Sequence, residues 1–416
     1  MKISRLKLGQ RLSRISWFFI GLFLLIALFF LPFSKSVAEI GVLVALALWA
    51  LRKWPWDEAF PRIKYGGVSY AVFLLITAVS FVNVPPNLAA TGLQGILKWL
   101  KHITLFFMLY EFAQSPRRLK ILVWLFLISM GLVCLNALYQ LAAGADLVKN
   151  YSIDTPGRLI RLKSSLGSPN SLACFLLLAL PAAFYVWSEQ KSWSPQSVFT
   201  VALLALFFTV FLSTLSRSAF LALAAALIAY GLFRPKTKLL GWVLVCLPLL
   251  LGSSRLFTAN FITSLNPADI TIGERLRFWK ITWQMIQHSP WLGNGVNMYY
   301  QKFSGFAPAS EAYRGYAHNC YLQLWSEIGI FGLVAFLWPL AAILGQNAVR
   351  GKTSGEFSLK DAIGIGLAAY LVQSFFDTNL YSLQVAMLFW VFWGVYAGLS
   401  LRSPSKLQRR RGEGGA

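Results

Sequence analysis

His318 and Asn319 stand where a long polar stretch turns back into an apolar run, and nine residues further on comes Gly329-Ile330-Phe331-Gly332. An imidazole at the mouth of a membrane helix meets water on one side and a lipid-linked molecule on the other, and it can carry a proton near neutral pH. Two readings of His318 follow from its position. It is either a proton acceptor or a histidine hydrogen-bonded at a helix start.

Arginines accompany it. Arg217 lies in Ser213-Thr214-Leu215-Ser216-Arg217-Ser218, a polar interruption between two apolar runs. A guanidinium there is costly unless it meets an anion or reaches the interface by extending its stem. Arg275 and the Arg158/Arg161 pair fall on the same side by loop counting, and Arg314 lies in the same long loop as Arg275. Planar, permanently charged guanidinium groups suit phosphate. Lys98, Lys101 and His102 share one helix face and read either as further anion contacts or as interface lysines beside a core histidine. Asp377, in Phe376-Asp377-Thr378-Asn379, is either a turn residue or a group that orients His318 or an arginine. Glu327 falls inside an apolar run, where a partner such as an arginine is expected.

The elements that must position these groups are membrane helices. The chain has 416 residues, 57% hydrophobic and only 13% charged, with a mean hydropathy of +0.60. This excludes an ordinary soluble domain. Apolar runs of roughly 16 to 25 residues recur from end to end, near the length needed to cross a bilayer. They place spans at 15–33, 36–51, 67–82, 95–113, 119–143, 170–187, 197–213, 217–233, 238–252, 318–345, 361–377 and 380–400, about twelve in one membrane-embedded domain.

The formal charge of +23 does not imply nucleic acid. Most basic residues lie in alternate short loops and at the two ends, including the tail 401–416 with Arg409-Arg410-Arg411, as the positive-inside bias requires. Both termini are thus expected on the cytoplasmic side. The long loops 144–169 and 253–317 depart from this pattern. They carry Lys149, Arg158, Arg161 and Lys163 in one, and Arg255, Arg275, Arg277, Lys280, Lys302 and Arg314 in the other. Long loops translocate regardless of charge, and grouped arginines also make an anion site.

Within the larger loop, Leu276, Trp279, Trp283 and Ile286 alternate with Arg277, Lys280, Gln284 and Gln287 at helical spacing. This predicts an amphipathic helix over 274–288 lying on the membrane surface, ended by Pro290-Trp291-Leu292-Gly293-Asn294-Gly295. Cys134, Cys174, Cys246 and Cys320 show no disulfide or metal spacing and read as packing residues. No zinc-protease, Walker or dinucleotide pattern is present, so no metal or cofactor is expected, and energy for a reaction must come with the substrate.

Taken together, His318-Asn319 with Gly329-x-x-Gly332, Thr214-Leu215-Ser216-Arg217-Ser218, Leu166-Gly167-Ser168-Pro169-Asn170 and Gly273-Glu274-Arg275-Leu276 resemble the O-antigen ligase and polymerase superfamily of bacterial cell-surface polysaccharide enzymes. The resemblance implies an all-α polytopic, C-type (GT-C-like) glycosyltransferase fold in the inner membrane, with the site and both long loops at the periplasmic face. It implies a glycan donor on undecaprenyl diphosphate and a lipid A-core or other glycan acceptor. Arg217 and Arg275, with Arg158 and Arg161 beside them, would bind the diphosphate, and His318 would activate the acceptor hydroxyl. Asp377, Asn319, Lys101 and Arg314 would support them. Ser168 departs from the Asn that commonly fills its place in the family. A complete histidine motif and one dominant loop favour a ligase over a polymerase. Similar proteins in photosynthetic bacteria are linked to inorganic-carbon transport, but the polar residues here gather at one face instead of lining a path.

Overall fold

The computed structural model describes residues 2–53, 67–153, 160–190, 194–233, 270–308, 315–350 and 357–401. Among them the regular elements are helical, and extended pairing is limited to an isolated bridge between Ala145 and Ser152. The helices are α1 (Lys2–Phe30), α2 (Lys35–Arg52), α3 (Gly67–Val79), α4 (Ala89–Phe112), α5 (Pro116–Ala143), α6 (Pro169–Ser188), α7 (Pro195–Ser213), α8 (Arg217–Phe233), α9 (Ile270–His288), the short α10 (Tyr299–Lys302), α11 (Cys320–Arg350), α12 (Leu359–Gln373) and α13 (Leu383–Ser400). Among the described residues five segments, Pro116–Ala143, Pro169–Ser188, Pro195–Ser213, Cys320–Gly345 and Leu383–Ser400, are long and apolar enough to cross a bilayer. The chain is a multi-pass membrane protein. The other expected spans coincide with helices, except 238–252, which lies outside the described residues together with Arg158, Arg314, Cys246 and the basic tail beyond Leu401.

Local chemistry sets the helix starts. Pro116 and Pro195 occupy the first turns of α5 and α7, where a missing N–H costs nothing, and the Ser115 and Ser194 hydroxyls accept from Arg118 and Ser197 backbone N–H groups. Ser358 and Asp361 form a capping box at α12. At the centre runs α13, buried from Gln384 to Gly398. Its Trp390 and Trp393 pack with Tyr70, Trp99 and Phe106. Gly394 and Gly398 let it approach α4 closely: a Cβ there would stand 2.6 Å from the Phe106 carbonyl and 2.7 Å from that of Tyr110. Small residues four apart serve this purpose where lipid supplies no hydrophobic drive.

One expected span is not a single continuous helix. α11 breaks at Gly329, with φ 74° and ψ 177°. The turn at Pro290–Gly295 wedges into the break and meets its orphaned backbone groups. Ile330 N–H and Trp325 Nε1–H both donate to the Pro290 carbonyl at 3.0 Å, while Asn294 and Gly295 N–H donate to the Ser326 and Glu327 carbonyls at 2.7 and 3.0 Å. Interrupted backbone at this depth persists only when neighbouring protein satisfies it. The Gly-x-x-Gly spacing is therefore a packing device at its first glycine.

The helix expected at 274–288 is present as α9, but it presents three faces, not two. Phe278, Ile281, Thr282, Met285 and Ile286 are buried, Leu276 and Trp283 are exposed apolar groups, and Arg277, Lys280, Gln284 and Gln287 are exposed polar ones. It docks on α11 and the 299–306 segment through Phe278, Tyr299 and Phe303.

Candidate functional site

The site is assembled where α11 begins, α12 ends, α6 begins and α7 gives way to α8. Asn319 is the N-cap of α11: its Oδ1 accepts from Tyr321 and Leu322 N–H at 3.0 and 3.1 Å. The preceding residue, His318, holds a left-handed backbone with φ 47°, a strained conformation for a residue with a side chain. Ser164 and Leu215, also with positive φ, flank the same site, and such outliers concentrate where geometry is over-determined. Two bonds between α11 and α12 set the relative position of His318 and Asp377: Cys320 N–H to the Ser374 carbonyl at 2.8 Å and Tyr321 Oη–H to the Leu371 carbonyl at 2.6 Å.

His318 Nδ1 lies 3.4 Å from Asp377 Oδ1, with the imidazole side chain 39% exposed and the carboxylate 17%. Phe278 of α9 packs against the ring, centroid to centroid 6.0 Å. Nε2 makes no hydrogen bond to a described residue, so the nitrogen facing away from Asp377 is the one left open. Asp377 also accepts from Thr378 N–H at 2.8 Å and Asn170 Nδ2–H at 2.9 Å. Burial alone would raise its pKa, but the hydrogen bond from His318, then Thr378 N–H, the imidazole's charge and Asn170 hold it below the usual carboxylate range. Asp377 is both a turn residue and the partner of the imidazole.

Asn170 is the hub of the network. Its Nδ2 donates to Asp377, its Oδ1 accepts from Ser216 Oγ–H at 2.9 Å and from Arg161 Nη2–H at 3.2 Å, and its carbonyl accepts from Gln373 Nε2–H at 3.2 Å. Arg161 donates further to the Thr214 carbonyl at 2.9 Å. One chain of polar contacts thus joins the histidine motif, the Leu166–Asn170 motif, the Thr214–Ser218 motif and Asp377. Ser168 starts α6 without a side-chain capping bond, so its departure from the commoner Asn falls outside this network.

The loop holding Arg161 is itself anchored from α5. Asn136 Nδ2–H donates to Ser164 Oγ at 2.9 Å, and Gln140 Oε1 accepts from Lys163 and Ser164 N–H at 3.2 and 3.0 Å. Asp146 gathers Val148, Lys149 and Tyr151 N–H groups. Those bonds, with Asn136, outweigh burial and hold its pKa below the usual value.

Of the expected anion-binding residues, Arg217 is exposed at the first position of α8, next to Ser216 of the network. Arg275 is half-buried on α9, three residues and so about 4.5 Å along the helix axis before Phe278. Lys101 instead forms an ion pair with Glu39 of α2. His102 is buried with its ring parallel to Trp390. Glu327 is met not by an arginine but by Tyr381, the Asn297 and Tyr299 N–H groups and the charge of Lys98. Cys320, read as a packing residue, also joins the site edge, donating to the Asp377 carbonyl at 3.2 Å. Asn170 and Ser216 stand inside the Leu166–Asn170 and Thr214–Ser218 motifs, yet their central place emerges only from contacts across the chain.

Residues 201–337 match the family model described as O-antigen ligase. That stretch includes Arg217, Arg275, His318 and Asn319, while Arg161, Asn170 and Asp377 lie outside it. Among curated proteins, none matches the chain.

Proposed function

From an O-antigen ligase region that holds His318, Arg217 and Arg275 within residues 201–337, we propose that the chain is a glycosyltransferase with a GT-C-like fold of about twelve spans. In this reading it moves a glycan from undecaprenyl diphosphate to a hydroxyl of lipid A-core or a related acceptor. The site faces the periplasm of a bacterial inner membrane, with both termini cytoplasmic. The observation that carries this reading is the contact chain His318–Asp377–Asn170–Ser216, which ends beside Arg217.

The chemistry follows from the groups. Asp377 holds a proton on Nδ1, so Nε2 takes the proton of the acceptor hydroxyl as its oxygen attacks the anomeric carbon. The bond from that carbon to the diphosphate oxygen breaks, and undecaprenyl diphosphate leaves. Arg217 and Arg275 stabilise the charge that develops on it, Arg161 adds to the same role, and Arg158 and Arg314 keep the diphosphate-binding and supporting roles that the family resemblance implies. Fixed guanidinium groups can take this role without a divalent metal. Attack from the face opposite the leaving group inverts the anomeric centre. Asn319 supports the step by capping α11 behind His318, whereas Lys101, neutralised by Glu39, contributes at most to the frame. The ligase-family match favours transfer over inorganic-carbon transport, and the complete histidine motif favours ligation over polymerisation.

Steady-state kinetics on purified protein in nanodiscs test the assignment of the arginines. Arg217→Ala and Arg275→Ala are each expected to lower kcat/KM for the donor by about 100- to 1,000-fold, the range for loss of a charge-stabilising group. Lys280→Ala, exposed on the same helix as Arg275, should stay within about twofold. Equal losses in all three would mean diffuse electrostatics and no defined diphosphate site.

A further inference from the structure

Glu327 is a carboxylate that the proposed chemistry does not use, and it is only 2% exposed. A buried carboxylate among apolar helices is costly unless its lone pairs and charge are met. Here they are met from several distant parts of the chain. Oε1 accepts from Tyr299 N–H at 3.3 Å, and Oε2 accepts from Asn297 N–H at 3.3 Å and Tyr381 Oη–H at 3.2 Å. The Lys98 ammonium of α4 supplies the opposite charge and donates to the Tyr381 carbonyl at 3.2 Å.

Each of these contacts leads back to the site in a few residues. Tyr381 follows Asp377 by four positions in the same connection. The Tyr299 hydroxyl shares a 2.7 Å hydrogen bond with Thr282 of α9, and α9 presents Phe278 to the His318 ring. Glu327 itself lies on the first segment of α11, whose start fixes His318. The carboxylate therefore fastens the carrier of the imidazole, the carrier of its acid partner and the helix that packs on the ring.

We infer that Glu327, with Lys98, is a positioning residue that sets the His318–Asp377 geometry. Its catalytic consequence rests on the proposed glycan transfer, but its structural consequence does not. Glutamine is the informative replacement. It keeps the volume but offers one acceptor oxygen, so its amide N–H groups must face the donors on one side.

The activity-independent readout is carbethoxylation of His318 relative to exposed His288 by diethyl pyrocarbonate, quantified by mass spectrometry without substrate. Glu327→Gln should change that ratio by about threefold or more, and lower kcat by about tenfold or more with donor KM held within about threefold. Tyr381→Phe, which removes one hydrogen bond and leaves the Lys98 charge in place, should move both quantities in the same direction by less, and it decides the matter if Glu327→Gln does not fold. Glu111→Gln, which removes a paired carboxylate at the other end of α4, should leave the ratio unchanged. The inference is overturned if the folded variants keep the wild-type ratio, whether or not kcat falls, or if Glu111→Gln shifts the ratio equally. Absence of transfer by the wild-type protein would overturn the functional reading and leave the carbethoxylation result to judge the positioning role.

Discussion

Replacing His318 by alanine is expected to lower glycan transfer by about 10²- to 10⁴-fold, the usual worth of a positioned general base. The argument rests on how little else in the described site can take a proton. Asp377 is held in its ionised form by three hydrogen-bond donors, and the neighbouring arginines cannot be deprotonated. Binding should change little, because the imidazole is asked to act only as the acceptor oxygen begins to attack. The loss should therefore appear in kcat with donor KM nearly constant, measured by single-turnover transfer in nanodiscs. Asp377→Asn should lie on the same side, since an amide no longer favours the imidazolium that forms. Wild-type kcat in folded His318→Ala would reduce His318 to the histidine of a helix start.

The second large effect is on folding. Gly329→Ala is expected to prevent accumulation of stable protein, because a Cβ would sit 1.9 Å from the Trp291 carbonyl oxygen and 2.2 Å from its carbon. Both atoms are backbone and cannot swing away, and the residue's φ of 74° adds strain for any side chain. The cost should exceed about 4 kcal/mol, the range reserved for a named steric or backbone fault. Gly332→Ala differs in kind: its nearest neighbours are Ile328 side-chain atoms at 2.5 Å, which can move to another rotamer. Thermal unfolding in detergent, followed by size-exclusion chromatography, separates the two. Similar melting temperatures would mean that the turn at Pro290–Gly295 does not hold the break.

How much of this was legible in the sequence depends on the range of the interaction. Apolar run length marks where helices lie, because it reports a property of each segment alone. Helix starts at Pro116, Pro195 and Ser358 are legible for the same reason. The break at Gly329 is not, since its left-handed backbone is stabilised by the carbonyl and N–H groups of the distant Pro290–Gly295 turn. Hydropathy does not tell the faces of α9 apart, because exposed Trp283 and buried Phe278 are equally apolar. Hydropathy cannot separate bilayer from protein interior. The partners of Lys101 and Glu327 are not legible either, because Glu39 and Tyr381 come from other parts of the chain.

The candidate site shows the same division. His318, Asn319, Asp377 and the arginines are legible as residue types that carry charge or protons or hydrogen-bond at a membrane boundary. Their mutual arrangement passes through Asn170, whose amide joins Asp377 to Ser216 and Arg161. Nothing in the spacing of Gly167-Ser168-Pro169-Asn170 marks the last residue as the joint between two distant motifs. The turn chemistry is local, but the hub is not.

Glycan transfer is tested most directly by supplying the purified protein in nanodiscs with an undecaprenyl-diphosphate-linked oligosaccharide and a lipid A-core acceptor, in the presence of a chelator. The products are then identified by mass spectrometry and anomeric NMR. The expected result is a glycosylated acceptor with inverted anomeric configuration and one undecaprenyl diphosphate released for each glycan moved. Retention of configuration, or release of the diphosphate with the glycan passed to water while the acceptor stays unmodified, would contradict the account.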